Sequence, residues 1–188
     1  MEEIEVKFLD VNVAEIEEKL GKLGAVKQFD RMYRRRVYDY PDHRLNANNS
    51  WVRVRDEGDK ITMGFKQRQG VSELGKDTGM YEVEMTVSSF DTAAEFLERI
   101  GMELKFYEEN RRIRYILNDV EVDIDFWPLL NPYVEIEAKT WKEVDATIKL
   151  LGFNPEDKKI CVAMQIYQMN GIDELSYIKL TFDEQIKK

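Results

Sequence analysis

The strongest constraint on the fold of this chain is an alternation of charged and apolar residues that recurs along most of its predicted strands. In residues 3–8 every second residue is charged, and the residues between them are aliphatic or aromatic. Successive side chains of a strand point to opposite faces of its sheet, so one face of this strand is charged and the other is apolar. The same alternation returns at 51–55, 82–85, 112–115, 120–126 and 133–138. A sheet of such strands needs an apolar layer against one face only.

An internal repeat adds helices to this sheet. Three times, a Glu-x-Glu strand is followed by an amphipathic helix that ends at an apolar residue and a glycine. The strand and helix-end residues are Glu3/Glu5 with Gly24, Glu82/Glu84 with Gly101, and Glu135/Glu137 with Gly152. About eight strands, mostly antiparallel and joined by hairpins or single helices, predict an α+β fold. We therefore predict one eight-stranded antiparallel sheet closed into a β-barrel, or tunnel, with the helices packed outside.

The chain is predicted to form a single domain over residues 1–188. Its 188 residues are enough for one well-buried core, and no linker rich in Pro, Gly or Ser divides them. The sequence Asn-Pro-Glu-Asp at 154–157 predicts the start of a helix that runs to about Met169. The core of the domain is then expected over about residues 1–171, with residues 172–188 as a C-terminal extension.

Composition argues against several classes of site. The formal net charge is −9, and a nucleic-acid-binding surface needs a cluster of basic residues, so we expect no nucleic-acid partner. No apolar run is long enough to span a bilayer and the N-terminus is acidic, so we expect a cytoplasmic protein with no membrane partner. One cysteine, Cys161, and one histidine, His43, cannot build a Cys/His metal site. A metal would therefore have carboxylate ligands, which suit Mg2+ or Mn2+.

If the barrel turns its charged faces inward, acids and bases in nearly equal numbers line its lumen. They are Glu3, Glu5, Lys7, Arg53, Arg55, Lys66, Arg68, Glu82, Glu84, Arg112, Arg114, Asp123, Asp125, Glu135 and Glu137. The alternative is a water-exposed sheet face whose cross-strand ion pairs each contribute little stability. We favour the lined cavity because the pattern recurs on nearly every strand and because the helices need the apolar face. Arginine forks match phosphate oxygens, and paired carboxylates hold divalent ions that bridge them, so this lining suits a triphosphate.

Several of these residues resemble the signature of the CYTH superfamily, the triphosphate tunnel metalloenzymes. The resemblance begins with Glu3-x-Glu5-x-Lys7 and spans about residues 1–171 in the expected order. It continues through Trp-Val-Arg-Val-Arg at 51–55, Lys66, Glu-Val-Glu at 82–84, Arg112, Asp125 and Tyr-Val-Glu-Ile-Glu at 133–137. This superfamily groups class IV adenylyl cyclases with thiamine triphosphatases and inorganic triphosphatases.

The resemblance implies an eight-stranded antiparallel tunnel that binds a small-molecule triphosphate together with Mg2+ or Mn2+. It assigns the triphosphate to Lys7, Arg53, Arg55, Lys66 and Arg112, and the inward strand faces add Arg68 and Arg114. It assigns the metal to Glu3, Glu5, Asp125, Glu135 and Glu137, with Glu82, Glu84 and Asp123 in the same acidic lining. Glu135, Glu137 and Lys66 are the expected catalytic residues.

Two features depart from the superfamily pattern. Asn110 stands two residues before Arg112, where a basic residue is common, and Arg114 is expected to compensate from the same face. The tail after Gly171 extends beyond the usual end, and we expect it either to cover one mouth of the tunnel or to form a homodimer contact.

Three functions remain open on the sequence. A metal-dependent triphosphatase is our leading hypothesis, because the complete Glu135/Glu137 pair resembles the hydrolytic members. The alternatives are a class IV adenylyl cyclase, which converts ATP to cyclic AMP and pyrophosphate, and a non-catalytic module that binds polyphosphate or a nucleotide.

Overall fold

The computed structural model describes residues 4–70 and 79–188, which form a curled sheet with helices on its convex side. The first half of the chain contains β1 (Ile4–Phe8), α1 (Val13–Lys22), β2 (Val26–Asp39), α2 (Arg44–Ala47), β3 (Ser50–Asp56), β4 (Ile61–Arg68), β5 (Met80–Val87) and α3 (Phe90–Arg99). The second half contains β6 (Glu103–Leu117), β7 (Val120–Phe126), β8 (Tyr133–Ala138), α4 (Trp141–Leu151), α5 (Ala163–Met169), β9 (Tyr177–Leu180) and β10 (Gln185–Lys187). Two 3-10 turns, Pro155–Asp157 and Glu174–Ser176, flank α5.

In residues 4–70 and 79–188, eight antiparallel strands form the main sheet, in the order β1-β8-β7-β6-β2-β3-β4-β5. This α+β architecture with eight antiparallel strands is as predicted. The sheet curls into a half-barrel, and closure is not seen: among the described residues no backbone pairing joins β5 to β1. The outer edge of β1 pairs instead with Lys159, which exchanges two backbone hydrogen bonds of 2.8 Å with Lys7. A side-chain ion pair between Arg68 of β4 and Glu5 of β1 spans the opening.

Helices cover the convex, apolar face of the sheet, as the repeat predicted. Side-chain caps begin these helices: Asn12, Ser89 and Thr140 each accept a hydrogen bond from a backbone N–H of the first turn. α1 and α4 bury Leu20 and Ile148 against apolar residues of β1, β6, β7 and β8. The helix α3 covers a second apolar cluster on β2 and β3. Because the apolar faces are used here, the charged faces of the same strands point to the concave side.

The single helix predicted from residue 154 to about Met169 is wrong. The chain makes one 3-10 turn, Pro155–Asp157, and then runs extended from Lys158, whose ψ is 140°. Helical backbone there would break the pairing of Lys159 with β1, and this pairing satisfies backbone groups that a buried edge cannot leave unpaired. A new helix, α5, begins at Ala163, where Gln165 accepts a hydrogen bond of 2.9 Å from the N–H of Val162.

The C-terminal extension contains structure that the sequence did not predict. β9 adds to β6 in parallel, with Tyr107 opposite Lys179, and β10 turns back on β9. Leu180 is 1% exposed and packs in a cluster with Trp127, Tyr133 and Tyr167. None of the helices in the described parts of the chain has the length and apolar character needed to cross a membrane.

Candidate active site

The concave face of the half-barrel encloses a cavity of about 400 Å³, which we call the central cavity. Among the described residues, its charged lining comprises eight basic side chains, Lys7, Arg35, Arg53, Arg55, Lys66, Arg68, Lys105 and Arg112, and six acidic ones, Glu5, Glu82, Glu108, Glu135, Glu137 and Glu174. An excess of basic groups is notable in a chain whose net charge is −9. The cavity is therefore a local anion-binding environment within an acidic protein.

Lys7 occupies one wall of the cavity between two carboxylates. Its Nζ lies 2.9 Å from Glu5 Oε1 and 2.7 Å from Glu135 Oε2, and the residue is only 3% exposed. The register of β1 on β8 makes this arrangement, because Lys7 faces Glu135 directly. Burial lowers the pKa of Lys7, but the charges of Glu135 and Glu5 outweigh it and raise that pKa above its usual range. Lys7 is therefore a permanent cation.

Three carboxylates converge beside Lys7. Single oxygens of Glu5, Glu135 and Glu137 all lie within 4.8 Å of one another, a spacing that fits coordination of one hard divalent ion. Burial raises the pKa of Glu135, but the charges of Lys7 and Arg112 outweigh it and hold that pKa well below its usual range. Glu135 is therefore ionised at neutral pH, as a metal ligand must be. Glu3, the other predicted ligand at this end of β1, lies outside the described residues.

Arg112 is held by a set of buried carboxylates. Its Nε and Nη2 donate to the two oxygens of Asp125 at 2.8 and 2.6 Å, Nη1 lies 2.7 Å from Asp123, and Nη2 lies 3.2 Å from Glu135. Burial raises the pKa of Asp125 to about 6 against the opposing charge of Arg112, so its carboxyl is still ionised at neutral pH. Asp123 also binds Arg114, at 2.7 Å. Asp123 thus joins Arg112 to Arg114, and Asp123, Asp125 and Arg114 do not line the central cavity.

The opposite wall carries closely spaced cations on β3 and β4. Arg53 Nη2 lies 3.2 Å from Glu84 Oε2, and Lys66 Nζ lies 2.8 Å from Glu82 Oε2. Burial, together with the charges of Arg55 and Arg35, lowers the pKa of Arg53 to about 9. Burial and the charge of Arg53 also lower the pKa of Lys66. Burial and the neighbouring cations thus disfavour the charged forms of Arg53 and Lys66.

The structure brings most of the predicted site residues to this cavity. Lys7, Arg53, Arg55, Lys66, Arg68 and Arg112 line it with Glu5, Glu82, Glu135 and Glu137. Three predicted carboxylates do not line the cavity and instead form ion pairs with arginines that do. Glu84 pairs with Arg53, and Asp123 and Asp125 pair with Arg112.

Sequence reasoning missed several residues of the cavity wall. Arg35 and Trp127 lie together there, and Glu108 and Glu174 close the same end. β2 contains three consecutive arginines, so alternation alone could not identify which one faces inward. Glu174 reaches the cavity through the packing of the C-terminal extension, for which the sequence carries no local signal.

The comparisons with known proteins agree with this geometry. The CYTH domain model of protein families matches residues 1–158. No curated protein matches the chain. Among solved structures, the PH1012 protein of Pyrococcus horikoshii OT3 is similar, with 24% identity, coverage of 87% of this chain and 98% of that chain, and a TM-score of 0.71.

Two further structures carry names that describe an activity. A candidate adenylate cyclase from Vibrio parahaemolyticus has 13% identity, coverage of 89% of this chain and 98% of that chain, and a TM-score of 0.72. The candidate adenylyl cyclase HpAC1 from Hippeastrum is described as having a dominant triphosphatase activity. It has 16% identity, coverage of 93% of this chain and 99% of that chain, and a TM-score of 0.67. At sequence identities of 24%, 13% and 16%, the similarity to these three structures shows a shared fold and no more.

Proposed function

The chain belongs to the CYTH domain family, and from that premise we propose that it is a divalent-metal-dependent triphosphatase whose active site is the central cavity. The substrate class is a small-molecule triphosphate: inorganic tripolyphosphate, thiamine triphosphate or a nucleoside triphosphate. The proposal rests on the charges that face one another across the half-barrel.

One observation carries the proposal, namely the clustering of four basic side chains of β3 and β4 on the wall of one cavity: Arg53, Arg55, Lys66 and Arg68. The lowered pKa values of Arg53 and Lys66 show that each cation is disfavoured by its buried, basic surroundings. A polyanion bound between them would relieve this repulsion and restore the solvation that burial has removed. Arg55 and Arg68 line the same space, so several phosphate groups of one chain could be bound at once.

The carboxylates of the opposite wall fit Mg2+ or Mn2+. Glu5, Glu135 and Glu137 would hold the ion, since their oxygens converge and Glu135 is ionised. When bound, the ion would polarise a phosphoryl oxygen and lower the barrier to displacement at phosphorus. Lys7 would bind phosphate next to this ion, because its Nζ already lies between Glu5 and Glu135.

The protein's own residues have separate roles in this proposal. Arg112 would bind a phosphate group from a guanidinium fixed by Asp123 and Asp125, an arrangement that costs no reorganisation on binding. Lys66 would neutralise charge that develops on the transferred phosphoryl group. Glu135 and Glu137 would orient the attacking water as well as the metal. Glu84 would position Arg53.

A class IV adenylyl cyclase is the second candidate, favoured by the names of the Vibrio and Hippeastrum proteins. The attacking oxygen would then be the ribose 3′-hydroxyl of ATP instead of water. The dominant triphosphatase activity described for HpAC1 supports our ordering of the two activities. A binding module without turnover is the third candidate.

One assay separates these functions. The purified protein is incubated with Mg2+ or Mn2+ and with tripolyphosphate, thiamine triphosphate or ATP, and phosphate, pyrophosphate and cyclic AMP are measured. We expect phosphate release that stops when the metal is chelated. Cyclic AMP and pyrophosphate from ATP would instead identify a cyclase. Tight binding of all three compounds without any product would leave only the binding module.

The cellular location, the partners and the oligomeric state of the protein stay predictions from the sequence. We propose a cytoplasmic enzyme that acts on a small molecule without a nucleic-acid or membrane partner. A homodimer formed through the C-terminal extension is part of the same prediction.

A further inference from the structure

Arg35 is a buried cation of the central cavity that the family resemblance does not assign. It lies on β2 opposite Glu108 of β6 and is 9% exposed. Its Nη2 donates a hydrogen bond of 2.7 Å to Oδ1 of Asn110, and its guanidinium stacks on Trp127, 3.9 Å from the ring centroid. Three neighbours thus fix the orientation of the Arg35 side chain.

The position of Arg35 matches a gap in the basic set. Asn110 occupies the site, two residues before Arg112, where a basic side chain was expected. Because Arg35 reaches the side-chain oxygen of Asn110, its guanidinium brings a positive charge to the end of that shorter side chain. Arg114, expected to compensate, is instead bound to Asp123 and Glu121. β2 therefore supplies the cation that β6 lacks.

The hydrogen-bonding capacity of Arg35 is only partly used within the protein. A guanidinium has five N–H donors. Nε lies 3.0 Å from Glu108 Oε1, close enough for an ion pair, but it is buried without an aligned hydrogen bond. The charge of Arg35 also contributes to the lowered pKa of Arg53, so the two guanidinium groups act in one electrostatic field. Arg35 thus belongs to the same basic array as the proposed phosphate-binding residues.

Only one of the two carboxyls beside Arg35 carries a negative charge. Glu108 and Glu174 are both 3% exposed, and burial raises the pKa of each carboxyl above its usual range. Burial and the charge of Glu108 raise the pKa of Glu174 well above its usual range, so Glu174 is the protonated partner. Arg35 consequently faces one negative charge, although two carboxyls lie at this end of the cavity.

We propose that Arg35 is a phosphate-binding residue of the central cavity, held in position by Trp127, Asn110 and Glu108 for contact with the triphosphate. This inference rests on the proposed function, because its ligand is the same polyanion. It adds a substrate contact from β2 and gives the C-terminal extension a part in the site, since Glu174 lines the cavity together with Glu108, the carboxyl that pairs with Arg35.

The test is the binding of metal-free inorganic tripolyphosphate, measured calorimetrically in the presence of a chelator so that no turnover occurs. Arg35→Ala should raise Kd by ~10- to 100-fold, the usual effect of losing a charged hydrogen-bonding partner. Arg35→Lys, which keeps the charge without the fork, should give an intermediate Kd. The matched control is Arg34→Ala, because Arg34 pairs with Asp56 on the exposed side of the same strand and should leave Kd within about twofold of wild type.

Two further variants keep the inference falsifiable. Arg35→Gln combined with Glu108→Gln removes the cation together with its buried counter-charge, so the fold is preserved while the weakened binding should persist. Arg53→Ala tests whether the central cavity binds tripolyphosphate at all, independently of Arg35. If Arg53→Ala weakens binding but all Arg35 variants bind as wild type, Arg35 is only structural and the inference is wrong. If Arg53→Ala binds as wild type, the proposed function fails, and this inference fails with it.

Discussion

Arg53 and Glu84 meet across β4, with 3.2 Å between Nη2 and Oε2, although 31 residues separate them in the chain. The register explains the contact: Gly64 is the backbone partner of both residues. With no side chain at Gly64, the guanidinium of Arg53 can cross the middle strand to the carboxylate on β5. A single glycine thus positions a cation of the candidate site.

Replacing Gly64 by alanine should disturb both stability and binding. A Cβ at this position would lie 2.9 Å from the carbonyl oxygen of Val83 and 3.3 Å from Cβ of Glu84. Because the first of these atoms is backbone, β4 and β5 must shift, and we expect a loss of ~1–3 kcal/mol in the free energy of unfolding by urea. Tripolyphosphate affinity should fall as Arg53 loses its alignment.

The control for this variant is Gly21→Ala. Gly21 lies within α1, and among the described residues a Cβ added there would meet no atom within 4 Å beyond the backbone of its own helix. Alanine at this position should therefore raise stability by ~0.5–1 kcal/mol. Equal stability changes at Gly64 and Gly21 would contradict the close approach of β5 to β4.

Two adjacent arginines of β6 should differ sharply in their contribution to stability. Arg112 is surrounded by the buried carboxylates Asp123 and Asp125, so Arg112→Ala leaves uncompensated charge and should cost ~3–5 kcal/mol. Arg111 points the other way and pairs with Asp30 in an exposed salt bridge of 2.7 Å. Arg111→Ala should therefore cost less than ~1 kcal/mol. Urea unfolding of both variants measures the difference, and similar losses would show that the buried cluster is not charged as described.

Alternation along the strands was enough to predict which of these arginines turns inward, and the same reasoning grouped Glu5, Lys7 and Glu135. It failed wherever contacts depend on the path of the chain between elements. Lys159 leaves the predicted helix because it completes the edge of β1. Arg35 lies within a run of arginines on a strand with two register shifts, so its face follows from the pairing of β2 with β6 and not from periodicity.

Glu174→Gln should change how stability depends on pH. The native pKa of Glu174 is raised by burial and by Glu108, so the stability associated with the protonated carboxyl is complete below the unfolded-state pKa and is lost as pH rises through the native pKa. A glutamine at this position has nearly the same size and shape as the protonated carboxyl and does not titrate. Melting curves of the two proteins should therefore separate as pH increases above about 4.3, the ordinary glutamate pKa.

The variant should be the more stable protein at alkaline pH. Each ~1 kcal/mol of difference corresponds to about 2–4 °C in Tm for a chain of this size. Parallel Tm profiles at all pH values would mean that Glu174 is ionised in the folded protein.

Glu135→Gln tests most directly whether the Glu5, Glu135 and Glu137 cluster supports metal-dependent turnover in the central cavity. Tripolyphosphate hydrolysis with saturating Mg2+ or Mn2+ and the Kd of metal-free tripolyphosphate are measured for wild type and variant, with melting curves to verify folding. Loss of a metal ligand removes several kcal/mol of transition-state stabilisation, so we predict a fall of ~100-fold or more in kcat with Kd within about threefold of wild type. An unchanged kcat, or a loss of affinity as large as the loss of rate, would mean that Glu135 does not hold a catalytic metal.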